Sequence, residues 1–171
     1  MSLLDRLFAA QLQGPESQPA VDAPSAAMGP FAHMLQDERV LALLGTLGIP
    51  YWWGHGDPAT VFPGPAYDCS GYAQGALVYL DLLSPQEPDR GALVLSSLCS
   101  HVEDEPKLGD LAFYDNPVSH VMVCLGGPWV IGATGGGSHT HGDDPSACVK
   151  LELLRYRKDL KMVGRLEPGH V

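Results

Sequence analysis

The hydrophobic pattern changes period near residue 108, and that change restricts what the chain can fold into. Upstream, apolar residues recur every three to four positions. Phe31, Leu35, Val40, Leu41, Leu44 and Leu47 form one stripe. Ala73, Ala76, Leu77, Leu80 and Leu83 form a second, and Leu93, Leu95, Leu98 and Val102 a third. These spacings predict helices over 31–47, 70–83 and 89–102, the first stopped by Gly48 and Pro50. Leu108-Gly109-Asp110 reads as a turn. Beyond it, short apolar runs at 111–114, 120–125, 129–133, 149–154 and 162–166 read as about five strands. Gly126-Gly127 between two of them predicts a hairpin, so the sheet is antiparallel. Helices first and an antiparallel sheet after them is an α+β arrangement. The 20 glycines and 15 prolines fit a loop-rich fold and exclude a helical bundle.

The 171 residues suffice for one domain with some chain to spare. Residues 2–12 carry Leu4, Leu7, Phe8 and Leu12 at helical spacing, and 13–30 are rich in Pro, Ala, Gln, Ser and Gly. We therefore divide the chain into a short helix and linker over 1–30 and a folded domain over 31–171. The short helix either lies on its own domain or docks on a larger assembly. A net charge of −10 argues against sequence-independent nucleic-acid binding and against docking on anionic lipid. No stretch is long enough to cross a bilayer, and residues 1–12 lack the basic start and apolar core of a signal peptide. The expectation is a protein made in the cytoplasm that leaves it, if at all, by a route outside the general secretory one. Cys69, Cys99, Cys124 and Cys148 show no CxxC pairing, so a zinc site built on them is not expected.

Cys69 stands at the start of the 70–83 helix, with Asp68 placed to cap it. Free N–H groups and the helix dipole there favour negative charge, which would help a thiol ionise and act as a nucleophile. The other reading is a small buried residue, as many free cysteines are. A thiol nucleophile needs a base. Among seven histidines, His120 opens the strand 120–125, where alternation puts it on one face with Met122 and Cys124. It is either that base or a satisfied core histidine. The loop 51–65 holds Tyr51, Trp52 and Trp53, and long loops with large side chains are often functional. His139 and His141, near Asp143 and Asp144, form either a solvated polar loop or a set of ligands.

Four blocks in order carry a resemblance: Pro50-Tyr51-x-Trp53-Gly54, Tyr67-Asp68-Cys69-Ser70-Gly71, Leu108-Gly109-Asp110-Leu111-x-Phe113 and Ser119-His120-Val121. Together they resemble the NlpC family of cysteine peptidases, compact relatives of papain-like enzymes, over about 31–166. The resemblance implies a papain-like fold, with Cys69 as nucleophile and His120 as general base and acid in an acyl-enzyme mechanism. It implies oxyanion donors at the backbone N–H groups of Cys69 and Ser70. Asp68 would cap the helix and orient the neighbouring loop. Tyr51 would bind the carbonyl oxygen or substrate, or simply pack, and Trp52 and Trp53 would line the cleft or join the core.

Two positions depart from the family pattern. His55 stands where a second glycine is usual. Gly132 stands where a polar residue usually orients the base, so a backbone carbonyl, a water, His139 or His141 would have to substitute. The implied substrate is the peptidoglycan stem peptide, often at the bond between D-glutamate and a diamino acid, with no metal or cofactor. The implied setting is a phage or phage-like tail component or an endolysin, with residues 1–30 contacting tail or other virion proteins. Alternatives are an amidase or acyltransferase of the same fold, or a structural or binding module whose base is poorly oriented.

Overall fold

The computed structural model describes residues 34–167 and 169, so the helix and linker expected over 1–30 lie outside the described residues. Among the described residues, three helices precede or flank six strands: α1 (Glu38–Leu44), α2 (Cys69–Tyr79), α3 (Ala92–Ser97), β1 (Cys99–His101), β2 (Leu108–Tyr114), β3 (His120–Gly126), β4 (Trp129–Thr134), β5 (Cys148–Leu153) and β6 (Leu160–Leu166). They form one antiparallel sheet in the order β1-β6-β2-β3-β4-β5. The α+β class and the antiparallel sheet are as the change of period requires.

Alternation along the strands divides the core. Leu111, Phe113, Val121, Val123 and Ile131 meet Ala73, Ala76 and Leu77 of α2 on one face. Ala112, Tyr114, Met122, Cys124, Val130 and Val163 form a smaller cluster on the other. Helix α2 is buried nearly all round, so it behaves as a central helix rather than a surface one. Its one buried polar side chain, Gln74, is fully satisfied. It donates to Asp89 Oδ1 (2.8 Å), Arg90 O (3.0 Å) and Ser70 O (3.2 Å), and accepts from Arg90 N (3.0 Å). This ties the segment before α3 to the helix that carries Cys69.

Local pattern and tertiary pairing disagree at two places. The expected helix over 89–102 is cut short. The Ser96 and Ser97 hydroxyls turn back onto the Leu93 and Val94 carbonyls (both 2.7 Å). Cys99, Ser100 and His101 then pair with Leu166, Arg165 and Gly164, which adds a sixth strand to the five expected. Leu108-Gly109-Asp110 opens β2 as an irregularity in its register with β3, rather than forming a free turn. Gly109 has φ +90°, and a Cβ there would stand 2.2 Å from Leu82 Cδ1.

The irregularity turns Asp110 inward. Its carboxylate, 2% exposed, accepts from Arg165 Nε (2.7 Å), Arg165 Nη2 (2.8 Å) and Lys107 N (2.8 Å). Removing one partner of a buried ion pair costs about 3–5 kcal/mol, but Arg165 is half-exposed and can rehydrate. Asp110→Ala should therefore lower stability by about 2 kcal/mol in a urea melt, with Arg165→Ala costing at least as much, because it leaves the buried carboxylate with only the Lys107 N–H.

Candidate active site

The start of α2 is fixed from three sides by one carboxylate. Asp68 Oδ1 accepts from Gly71 N (2.8 Å) and Ser70 Oγ (3.0 Å), while Oδ2 accepts from Gly54 N (2.9 Å) in the aromatic loop. Asp68 therefore caps the helix and orients the loop at once. The loop backbone lies directly on the helix. A Cβ on Gly71 would stand 2.2 Å from His55 O and 2.4 Å from Gly56 O, so only glycine fits there. His55 itself causes no strain, because the positive φ angles fall on Gly54 (+72°) and Gly56 (+90°). Its ring packs on Trp52 at 4.8 Å, beside His141 at 5.9 Å from the same ring.

A cleft of about 580 Å³ opens beside this helix start. Its lining includes Tyr51, Trp53, Cys69 and His120. The Cys69 sulfur is 7% exposed as part of its residue and lies 3.9 Å from Ser119 O, next in the chain to His120. Backbone N–H groups of Val121, Ser70 and Cys69 point toward it and favour the thiolate. Burial, followed by the Asp68 carboxylate, outweighs them and pushes the thiol up to about 11. The helix start therefore does not make an ionised thiol by itself, contrary to the expectation from sequence. Burial, then the Arg157 guanidinium, pulls the His120 imidazole down to about 4, with Asp115 and Asp159 opposing. At neutral pH the resting pair is thiol and neutral imidazole.

That pairing predicts the reactivity of the thiol. Alkylation of Cys69 by iodoacetamide should keep rising with pH toward about 11. A plateau reached below pH 7 would instead reveal a thiolate–imidazolium pair. Tyr51 is 3% exposed, and burial, with Cys69 and Asp68 nearby, holds its hydroxyl protonated well above the usual tyrosine range. It can therefore only donate or share its proton, as a carbonyl oxygen requires. Gly136 secures its place: a Cβ there would stand 2.2 Å from the Tyr51 ring. Trp52 and Trp53 are 39% and 50% exposed, so neither joins the core; Trp53 lines the cleft and Trp52 does not.

The candidates for orienting His120 lie elsewhere. In the β3–β4 register Val123 faces Ile131 and Cys124 faces Val130, so Gly132 falls opposite Met122, two positions from His120. Met122 fills the space above Gly132, its Cγ 3.2 Å from where a Cβ would be. His139 and His141 are both exposed and neither lines the cleft. Among the described residues no cluster of three or more His, Cys, Asp or Glu could hold a metal ion. The cleft does bring together residues that the sequence pattern gave no reason to select: Thr134, Asp115, Tyr156 and Arg157. Arg157 is ion-paired with Asp115 and Asp159. The register of β4, the β2–β3 connection and the turn after β5 deliver these groups, and none of these is visible locally.

Residues 48–155 match the model of the NlpC/P60 family, and the chain belongs to that family. No curated protein matches it. Among solved structures, it is similar to the peptidoglycan hydrolase RipB from Mycobacterium tuberculosis (25% identity, TM-score 0.55), over 96% of this chain and 80% of RipB. It is also similar to NlpC1 from Trichomonas vaginalis (23% identity, TM-score 0.55), over 75% of this chain and 42% of that one. A third is the P60 domain of antigen MAP1204 from M. avium subspecies paratuberculosis (20% identity, TM-score 0.53), over 80% of this chain and 97% of the domain. The chain thus spans less than half the length of the Trichomonas protein and most of the other two. The latter two likenesses carry the fold alone.

Proposed function

We propose that this protein is a cysteine peptidase that hydrolyses amide bonds in the stem peptides of bacterial peptidoglycan. One observation carries the reading: Cys69 on the first turn of α2 and His120 on the first residue of β3 line the same cleft. Family membership and the name of RipB as a peptidoglycan hydrolase support the substrate class.

The chemistry follows from the neutral pair. His120 takes the thiol proton as the sulfur attacks the amide carbonyl. The resulting oxyanion meets the N–H groups of Cys69 and Ser70 at the helix start and the hydroxyl of Tyr51. His120 then protonates the leaving amine, and the C–N bond breaks to give a thioester. Water, deprotonated by His120, attacks that thioester, and the C–S bond breaks to release the acid and the thiol. Burial keeps the imidazole unprotonated at neutral pH, so it is free to accept the thiol proton when substrate arrives.

A second reading, a fold with an impaired base, draws on one feature: His120 Nε2 is buried without a hydrogen-bond partner. Delivery by a tail-like assembly is also part of the proposal and rests only on the amphipathic spacing of residues 2–12. The test is incubation with defined muropeptides and mass analysis of the products. Peptide cleavage yielding a new amine and a new acid is expected. Intact muropeptides, or transfer of an acyl group to an added amine without hydrolysis, would overturn the peptidase reading.

A further inference from the structure

The buried Nε2 of His120 has a counterpart. The Tyr156 hydroxyl, from the turn after β5, is also buried without a hydrogen-bond partner. Both residues line the cleft, and both rings pack on Tyr114, His120 at 5.7 Å and Tyr156 edge-on at 5.4 Å. Continuing the β3–β4 register sets Thr134 directly opposite His120. The Tyr156 hydroxyl approaches Thr134 and Arg157, short of a hydrogen bond to either. Two buried, orphaned polar atoms on residues lining one cleft are costly apart and compatible together, one a donor and the other an acceptor. Tyr114 is already committed, since its hydroxyl donates to Leu154 O (2.9 Å). Gly132 offers no side chain, and Met122 fills the space over it.

We propose that the Tyr156 hydroxyl orients His120, accepting from Nε2–H directly or through one water while donating its own proton toward Thr134 Oγ1. This rests on the peptidase reading for its consequence, because it fixes the tautomer that leaves Nδ1 bare to receive the thiol proton. Tyr156 is a positioning residue: it does not touch the reacting atoms. It fills from the turn after β5 a role that Gly132 cannot fill from β4.

The test is nitrogen NMR of the full chain with ¹⁵N-labelled histidine, His120 being assigned by its disappearance in His120→Asn. Wild type should show His120 mainly as the Nε2–H tautomer at pH 7. Tyr156→Phe removes only the hydroxyl and should raise the Nδ1–H form, and Thr134→Val should do so to a smaller extent. In the muropeptide assay Tyr156→Phe should lower kcat by about ten- to a hundredfold with KM within about twofold. Unchanged tautomer populations in Tyr156→Phe would overturn the assignment. Because the spectrum is read without substrate, it decides the role of Tyr156 even if wild type fails to cleave, an outcome that counts against the peptidase reading alone.

Discussion

Replacing His120 by alanine should lower kcat for peptide hydrolysis by about a thousandfold while leaving KM within a few fold. In the proposed mechanism the imidazole moves a proton at every stage: from the thiol, to the leaving amine, and from water. Two other polar groups lining the cleft cannot take its place. Arg157 stays charged and ion-paired with Asp115 and Asp159, and the Tyr51 hydroxyl holds its proton. The pH profile follows from the same burial. His120 is lowered to about 4 and Cys69 is raised to about 11 in the folded protein. The competent form, neutral imidazole with intact thiol, thus exists between those values, so kcat/KM should stay flat from about pH 5 to 9. The sign for stability differs. Unfolded chains protonate His120 near its ordinary value of about 6.5, while the folded protein resists until about 4. Stability from this group is therefore full above 6.5 and falls as pH drops toward 4. His120→Ala should flatten that decline in a melting series.

The second large effect is structural. Gly71→Ala should destabilise the protein by about 3 kcal/mol or more, since one methyl would overlap two backbone carbonyls, at His55 and Gly56. Neither can yield like a side-chain tip. The 54–56 segment is held by the Asp68 carboxylate and by Asp68 N donating to His55 O (2.9 Å). A shift there would also move Tyr51 and Trp53, so activity should fall together with stability. For a domain of this size the melting temperature should drop by about 6–12 °C. Gly137→Ala is the matched control, because a Cβ there meets nothing within 4 Å, and it should melt within about 1–2 °C of wild type. Equal melting of the two variants would mean that the loop does not rest on α2 as described.

These residues also mark what the sequence could and could not disclose. The Cys69 helix was legible because its cap is local: Asp68 reaches Gly71 N three residues on. The central strands were legible because burial on both faces gives short, continuous apolar runs. Strand β1 was not, because Cys99-Ser100-His101 follows a helical stripe and becomes a strand only by pairing with β6, some 65 residues away. The exposure of Trp52 and Trp53 runs against their size, since the loop packs inward through Tyr51 and Tyr67. The direction of the Cys69 shift is hidden from the sequence for a similar reason. The helix start is visible in sequence, whereas the β3 backbone that buries the sulfur is not. Thr134 and Tyr156 come to His120 through the β4 register and the turn after β5, and neither position carries a motif.

In the proposed function the Cys69 sulfur is the nucleophile of an amide-cleaving site. The most direct measurement compares wild type and Cys69→Ala on the same muropeptides, with products followed by mass spectrometry and both proteins shown to melt alike. Cleavage by wild type and none by Cys69→Ala is the predicted result. Cleavage by both at comparable rates would contradict it.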